Sequence, residues 1–303
     1  NEVHWAIEAK KLKFALLGSS ARKLRRAGVN LLGGRALRRE MHPLLQTELG
    51  RDFDLESTLQ FGSIALITDS PEPGEQLKAY VTTYLKEEIQ AEAVVRNLAG
   101  FARFFPVAAL MHGQVLNAQN IARDAGVART TVEGFLEILE DTLVATRVRA
   151  FEGRLRVKER RHPKLYWLDP GLARAARGAI HPVAEAERGA LFEGLIALWL
   201  LAYRNLGSIE FDELYYWGVG ESDRIEVDFV LPYGNSICAI EAKATSRIRP
   251  ADLAGLKKFG ELPGVKRRIV VYCGKDLRKT EDGIEIIPVD QFIELLHSGK
   301  LNR

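Results

Sequence analysis

The sequence has few of the residues that build disulfide frameworks or zinc sites. It contains two cysteines in 303 residues, and both Cys238 and Cys273 lie in apolar, strand-like runs. We expect reduced, buried thiols, because a disulfide framework needs more cysteines and an oxidising compartment. The six histidines are scattered without the spacing of zinc ligands. These absences favour a cytoplasmic protein without structural zinc.

Long apolar runs are also lacking. The longest, at 195–202, is shorter than the roughly 20 residues that a membrane-spanning helix needs. No signal peptide pattern occurs either. We therefore expect no membrane partner.

The phosphate-binding loop G-x-x-x-x-G-K-[ST] is a third absence from the sequence. Without its backbone amides and its lysine, a protein has no cradle for nucleotide phosphates. We therefore do not expect ATP as a cofactor of this chain alone.

Composition and charge are those of an ordinary globular protein. Apolar residues make up 47% and charged residues 27% of the chain, which is long enough for two or three domains. Lys and Arg exceed Asp and Glu by only 43 to 40. Any contact with nucleic acid must therefore come from local basic patches.

Two short apolar segments, 225–231 and 237–243, carry acids where a strand interior is expected. The turn residues between them predict a hairpin. Asp228 and Glu241 lie among apolar neighbours, and burying a carboxylate is costly unless a charge compensates it. Lys243 follows Glu241 by two residues, so both point to one face of the strand. A divalent cation, Mg²⁺ or Mn²⁺, would compensate the acids and could activate a water.

An acid followed on the next strand by Glu-x-Lys resembles the PD-(D/E)xK nuclease superfamily. The resemblance covers roughly the last 120 residues. It implies an αβββαβ core and Mg²⁺-dependent phosphodiester hydrolysis, with Asp228, Glu241 and Lys243 as catalytic residues. It also implies Glu193, Asp228 and Glu241 as metal ligands, Glu193 coming from the apolar helix before the sheet. The sequence departs from the motif in having no proline before Asp228.

The tetrapeptide Ile240–Lys243 occurs a second time, as Ile7–Lys10. There it lies in a helical pattern without a preceding strand acid, and we expect a solvated helix face. Glu-x-Lys alone is therefore weak evidence for a metal site. A non-catalytic regulator that binds nucleic acid or protein and keeps the nuclease fold is the alternative.

The stretch LLGSSARKLRRAGVNLLGGRALRRE, residues 16–40, is similar to part of an AAA-type ATPase domain. That domain belongs to a large prokaryotic family whose members carry a C-terminal domain of unknown function. The resemblance implies a buried strand over 13–20 that ends in the sensor-like nucleotide-binding residues Ser19 and Ser20, with Arg35 near the nucleotide. Because the sequence starts in helical rhythm without Met and has no phosphate-binding loop, we expect a fragment, or a truncated relative, that lacks the N-terminal half of the ATPase core.

The middle of the chain predicts a winged helix, a module that the same family has at this place. Residues 116–139 have helix-turn-helix form with Gly126 at the turn, and strand-like 143–151 and 154–158 would form the wing. A DNA backbone would be contacted by the following residues: Arg129, Thr130, Thr131, Arg154, Arg156 and Lys158. Glu133 and Glu137 would repel phosphate, so packing against another domain, a protein partner or a second copy of the chain is equally open.

The predicted fold class is therefore α/β and multidomain. A partial AAA-type α/β core would occupy 1–75, a helical region with the winged helix 76–175, and a nuclease-like αβββαβ domain 176–303.

Overall fold

The described part of the protein is a mixed α/β structure built around a nine-stranded sheet with the strand order β1-β3-β2-β4-β5-β6-β7-β9-β8. The computed structural model describes residues 2–18, 37, 39–83, 97–153, 159–179, 181–220 and 225–301. Six predicted site residues lie outside this part of the chain and stay predictions: Ser19, Ser20, Arg35, Arg154, Arg156 and Lys158. No helix among the described residues is both long and apolar enough to cross a membrane.

The first 83 residues contribute helices and no strand within their described part. These helices are α1 (Glu2–Lys10), α2 (Gln46–Leu49), α3 (Leu55–Phe61), α4 (Ala65–Thr68) and α5 (Pro73–Thr83). Glu8 and Lys10 are exposed on α1, which confirms the solvated helix face. The prediction of a buried strand over 13–20 was wrong for residues 13–18, which the structure describes and which have no regular secondary structure. Leu17 is 79% exposed there, because no neighbouring strand of the described sheet pairs with the segment and covers it.

The middle of the chain forms a second group of elements. These are α6 (Leu98–Leu110), β1 (Gln114–Val115), α7 (Ala118–Ala125), α8 (Arg129–Asp141), β2 (Ala145–Ala150), β3 (Lys164–Trp167) and α9 (Pro170–Ala176). The predicted helix pair is confirmed: Asn117 caps the start of α7, and Gly126 ends it in the left-handed conformation with a φ of 61°. These helices enclose a core with Phe101, Phe104 and Trp167.

Strand β2 does not lie at the tip of a free wing. It pairs antiparallel with β3 on one side and parallel with β4 (Tyr215–Gly218) on the other. The expected strand partner 154–158 lies outside the described residues. The observed pairing makes β2 an internal strand that joins the middle of the chain to the C-terminal part of the sheet.

The C-terminal part begins with the predicted order of helices and strands, αβββαβ, and also contains a short strand, Arg278–Lys279, that was not predicted. It contains α10 (Glu185–Leu206), β4, β5 (Glu226–Tyr233), β6 (Ser236–Lys243), α11 (Ala254–Phe259), β7 (Val265–Tyr272), β8 (Arg278–Lys279), β9 (Glu285–Pro288) and α12 (Val289–His297). Strands β5 and β6 form the expected hairpin, and β6, β7 and β9 run parallel.

Alternating residues of β5 and β6 enter two different cores. Phe229, Ile240 and Ala242 pack with the helices α10 and α12, whereas Val230 and Ala239 pack with α11. The sheet is therefore covered on both faces, and this explains why its strands read as nearly continuous apolar runs. Trp217 is fully buried in the second core, as expected for a packing residue.

Candidate metal centre

Helix α10 brings Glu193 to the sheet. The helix is buried along most of its length, with Phe192 and Gly194 on either side of Glu193 fully or nearly fully covered. Gly194 is needed for this close approach, because a Cβ there would lie 2.1 Å from Nε2 of the buried His112. The imidazole is held in place by Trp167, whose backbone N–H donates to Nδ1 at 3.1 Å. Tight helix packing therefore places a carboxylate inside the protein.

Strand β5 supplies two further carboxylates. Glu226 and Asp228 are two residues apart, the spacing that puts side chains on the same face of a strand. Their oxygens and a carboxylate oxygen of Glu193 all lie within 4.8 Å of one another. No other trio of potential metal ligands in the described ranges meets this distance.

Lys164, the first residue of β3, lies among these three acids. Its Nζ is 2.8 Å from Oε1 of Glu193 and 3.5 Å from Oδ1 of Asp228, and it also contacts Oε1 of Glu226. The side chain is only 2% exposed, so solvent contributes almost nothing to its charge balance. An internal ammonium group thus compensates the trio in this structure.

Tyr166 and Arg160 complete the surroundings of the trio. The Tyr166 hydroxyl donates to Oε1 of Glu193, and Nη1 of Arg160 lies 2.6 Å from Oε2 of Glu226. Both residues come from the chain on either side of Lys164. The segment 160–166 therefore contributes two cations and one hydroxyl to acids of the C-terminal region.

Glu241 and Lys243 lie beside this cluster at the end of β6. Nζ of Lys243 is 2.6 Å from Oε1 of Glu241. Glu241 is only 6% exposed. Its Oε2 is buried and has no hydrogen-bond partner among the described residues. Asp228 links the two groups, since its Oδ2 accepts a hydrogen bond of 2.9 Å from the backbone N–H of Ala242. A buried oxygen without a partner is costly, which makes Glu241 receptive to a cation.

Burial dominates the titration of these groups. It raises the pKa of Glu193 to about 7, with the charge of Asp228 as the next cause. Burial and then Asp228 also raise the pKa of Glu241 well above its usual range. Burial alone would lower the pKa of Lys164, but Glu193 and the neighbouring anionic groups outweigh it and raise the pKa well above the usual value.

The charges of the cluster do not balance. Four carboxylates, of Glu193, Glu226, Asp228 and Glu241, face the three cations Arg160, Lys164 and Lys243. When all are ionised, one negative charge remains. A bound cation or a bound proton would neutralise it.

Sequence reasoning found part of this cluster. The structure brings the predicted ligands Glu193 and Asp228 together, but Glu226 is the third member of the close trio, and Glu241 lies beside it with Lys243. The same signal that identified Asp228, a charged residue in an apolar strand, was present at Lys164. Glu226 could have been found from its spacing to Asp228.

Three of the predicted DNA-binding residues lie at the start of α8. Arg129 and Thr130 are exposed and Thr131 is half-buried at the start of α8. Arg147 on β2 is held by Glu133 at 3.0 Å and by Glu140 at 2.6 Å. Its neighbour Arg149 pairs with Glu213. Both arginines lie in the range 143–151 that was predicted as part of the wing, and both are engaged by acids of the protein itself.

Comparison with known proteins gives two family matches. Residues 64–182 match the model of a domain of unknown function, DUF8612. Residues 188–292 match the model of another domain of unknown function, DUF4143. The four acids and Lys243 lie in the second region, whereas Lys164 lies in the first. The cluster therefore joins the two matched regions.

Two curated relatives match most of the chain. Uncharacterized proteins of Mycobacterium tuberculosis and Mycobacterium bovis are each 25% identical to it over 289 residues. The match covers 93% of this chain but 63% of each relative, so the chain spans less than two thirds of their length.

One solved structure, that of protein VC1899 from Vibrio cholerae, matches with 17% identity. It covers 77% of this chain and 57% of that chain, with a TM-score of 0.29. A likeness at this level carries no argument about the fold or the function.

Proposed function

We propose that the acid cluster binds one divalent cation, Mg²⁺ or Mn²⁺, between Asp228 and Glu241 and that the protein hydrolyses phosphodiester bonds. The observation that carries the proposal is the buried Oε2 of Glu241, which has no hydrogen-bond partner in the described part of the chain. It belongs to a cluster that already holds one negative charge in excess.

The residues present fit such an ion. Mg²⁺ is commonly held by one or two carboxylates and keeps several waters. Glu241 offers Oε2, and Asp228 offers Oδ2, which accepts a hydrogen bond of 2.9 Å from the backbone N–H of Ala242 on the strand of Glu241. Glu193 would assist indirectly, because its carboxylate holds Lys164 at 2.8 Å and keeps that charge beside Asp228.

Lys243 would orient the water. Its side chain is partly exposed while its Nζ remains fixed on Oε1 of Glu241 at 2.6 Å. An ammonium group held at the rim of the cluster can donate hydrogen bonds to a water or a phosphate oxygen. When bound, a divalent ion would lower the pKa of its water and polarise the phosphate.

The alternative is a non-catalytic module that binds nucleic acid or protein. Lys164 favours it, since this lysine already contacts three of the four acids and offsets part of their charge without a metal. A cluster held in this way would stabilise the fold and need no ion.

We further propose that the chain acts in a longer ATP-binding protein of the AAA type and associates with DNA. The match of residues 188–292 to DUF4143, a domain often found with AAA ATPases, supports the first part. The exposed Arg129 and Thr130 at the start of α8 support the second.

Thermal unfolding with and without Mn²⁺ tests the metal site. An ion that binds only the folded state raises the melting temperature by mass action. We expect wild type to gain stability, and Asp228→Asn and Glu241→Gln to lose that gain. Lys243→Ala should keep the gain but lose cleavage of fluorescently labelled DNA oligonucleotides, since this lysine acts on water.

Glu8→Gln is the matched control, because Glu8 lies in the same Ile-Glu-Ala-Lys tetrapeptide on the surface of α1. It should respond to Mn²⁺ as wild type does. Equal Mn²⁺ shifts in wild type, Asp228→Asn and Glu241→Gln would refute the metal site. A normal shift without cleavage of any oligonucleotide would favour the binding module.

A further inference from the structure

The acid cluster has one cation position that is defined by three neighbouring carboxylates and a second that we proposed above. The first is enclosed by Glu193, Glu226 and Asp228, whose oxygens lie within 4.8 Å of one another. The second is the position proposed above beside Asp228, where Oε2 of Glu241 is buried without a hydrogen-bond partner among the described residues. Asp228 belongs to both positions, as its Oδ1 faces Lys164 and its Oδ2 accepts from the N–H of Ala242.

A shared carboxylate between two cation positions is the arrangement of two-metal sites. In such sites the ions lie about 3.5–4 Å apart and act together on one phosphate. Here, the ammonium group of Lys164 fills the first position with contacts to all three acids. In the described ranges, no internal cation contacts Oε2 of Glu241, because Nζ of Lys243 pairs with Oε1 instead.

We propose that Lys164 takes the place of a second metal ion and restricts the cluster to a single divalent cation at Asp228 and Glu241. This inference rests on the proposed metal site. Lys164 is a positioning residue: it offsets part of the negative charge of the trio and aligns Asp228, but as an ammonium group it offers no open coordination position. Water or phosphate can therefore bind a metal only on the side of Glu241.

Burial explains why a metal does not simply displace the lysine. Lys164 is 2% exposed, and its Nζ lies 5.4 Å from the centre of the Tyr216 ring. Displacing Lys164 from the trio would leave a buried ammonium group without its acidic partners, which is strongly unfavourable. The lysine also comes from the region that matches DUF8612, so that region completes the site of its neighbour.

The number of Mn²⁺ ions bound per chain tests the inference. Equilibrium dialysis should give one ion for wild type and two for Lys164→Met, because the three acids are then free to hold a metal. Electron paramagnetic resonance should show an isolated ion in wild type and a magnetically coupled pair in Lys164→Met. Neither readout requires activity.

A double variant, Lys164→Met with Glu226→Gln, serves as the matched control. It removes the cation together with one acid, so the charge balance is kept, but the first position loses a ligand. It should bind one ion. If Lys164→Met is unfolded in chelator, it should fold when Mn²⁺ is added, with two ions bound.

The outcomes separate the inference from the proposed metal site. One ion in both wild type and Lys164→Met, or failure of Lys164→Met to fold even with Mn²⁺, overturns the role of Lys164 and leaves the metal site standing. Two ions in wild type also overturn it. No ion in wild type overturns the proposed metal site itself.

Discussion

Gly194 illustrates how a single missing Cβ sets the position of the acid cluster. It lies next to Glu193 on α10, where the helix backbone touches the ring of His112. His112 in turn packs edge-on against Tyr166 with ring centres 6.2 Å apart, and Tyr166 donates to Glu193. A shift of the helix at this point would move the carboxylate away from Lys164.

Gly194→Ala should therefore destabilise the protein although Ala is the better helix former. The added Cβ would meet Nε2 of His112 at 2.1 Å, and overpacking of this kind typically costs about 1–3 kcal/mol. Unfolding in urea, followed by circular dichroism, measures the change in the free energy of unfolding.

Gly189→Ala on the same helix is the control. A Cβ there meets nothing within 4 Å, so only helix propensity changes, with a gain of about 0.5–1 kcal/mol. A similar gain in Gly194→Ala would show that the helix does not press on His112.

The partners of a charged residue in this protein determine whether its charge is buried or faces solvent. Lys164 would look like a surface residue from its type, yet it is buried and meets three acids. Removing one partner from such a group usually costs much more than the group contributes, because a buried charge is left uncompensated. Lys164 and its acids should therefore be tested together.

At the scale of elements, α8 and β2 limit what the helix pair can offer to DNA. Glu133 and Glu140 of α8 hold Arg147 of β2, and Arg149 is paired with Glu213. These contacts bind the helix to the sheet. The exposed Arg129 at the start of α8 and the basic segment 154–158 remain as candidates for contact with phosphate.

Replacing Arg154, Arg156 and Lys158 together with Ala should weaken binding to DNA of unrelated sequences if this segment touches the backbone. Each lost phosphate contact should flatten the salt dependence by about one unit of log–log slope. Fluorescence anisotropy at several salt concentrations measures it, and Arg129→Ala should have a smaller effect in the same direction.

Arg147→Ala provides the comparison, because its side chain already pairs with two glutamates. It should lower stability and leave the salt slope unchanged. A triple variant with an unaltered slope would assign the basic segment to packing.

At the scale of the whole molecule, the continuous sheet joins the two regions that match different families. Strand β2 pairs with β4 at Arg149 and Ala150, and just beyond it the N–H of Phe151 donates to the carbonyl of Tyr216 at 2.7 Å. Lys164 and Arg160 add ion pairs across the same boundary. Such a shared sheet and shared charge cluster favour cooperative unfolding of both regions.

We expect urea unfolding to give one transition by circular dichroism and by tryptophan fluorescence, with the same midpoint. Phe151→Pro should separate the two curves, since proline cannot donate the hydrogen bond to Tyr216. Phe151→Leu keeps that N–H and should retain a single transition. Two transitions already in wild type would mean that the regions fold independently.

The order of elements in the C-terminal region could be predicted from the sequence because its signals are local. Runs of β-branched residues, the turn at 232–235 and the apolar helix around Glu193 each depend on neighbouring residues alone. The helix pair at 118–141 was predictable for the same reason. The segment 13–18 was not, because an apolar run becomes a strand only where another strand pairs with it.

The sequence by itself determined that acids would be buried near the ends of β5 and β6, since Asp228 and Glu241 lie in runs that the sheet must cover. Only the tertiary structure decided what compensates them. Lys164 is 29 residues from Glu193 and 62 from Glu226 along the chain. The chain just before β3 pairs with the chain just after β4 at Glu159 and Val219, and β4 pairs with β5, which carries Glu226. Charge compensation depends on distance in space, which a one-dimensional pattern of residue types does not contain.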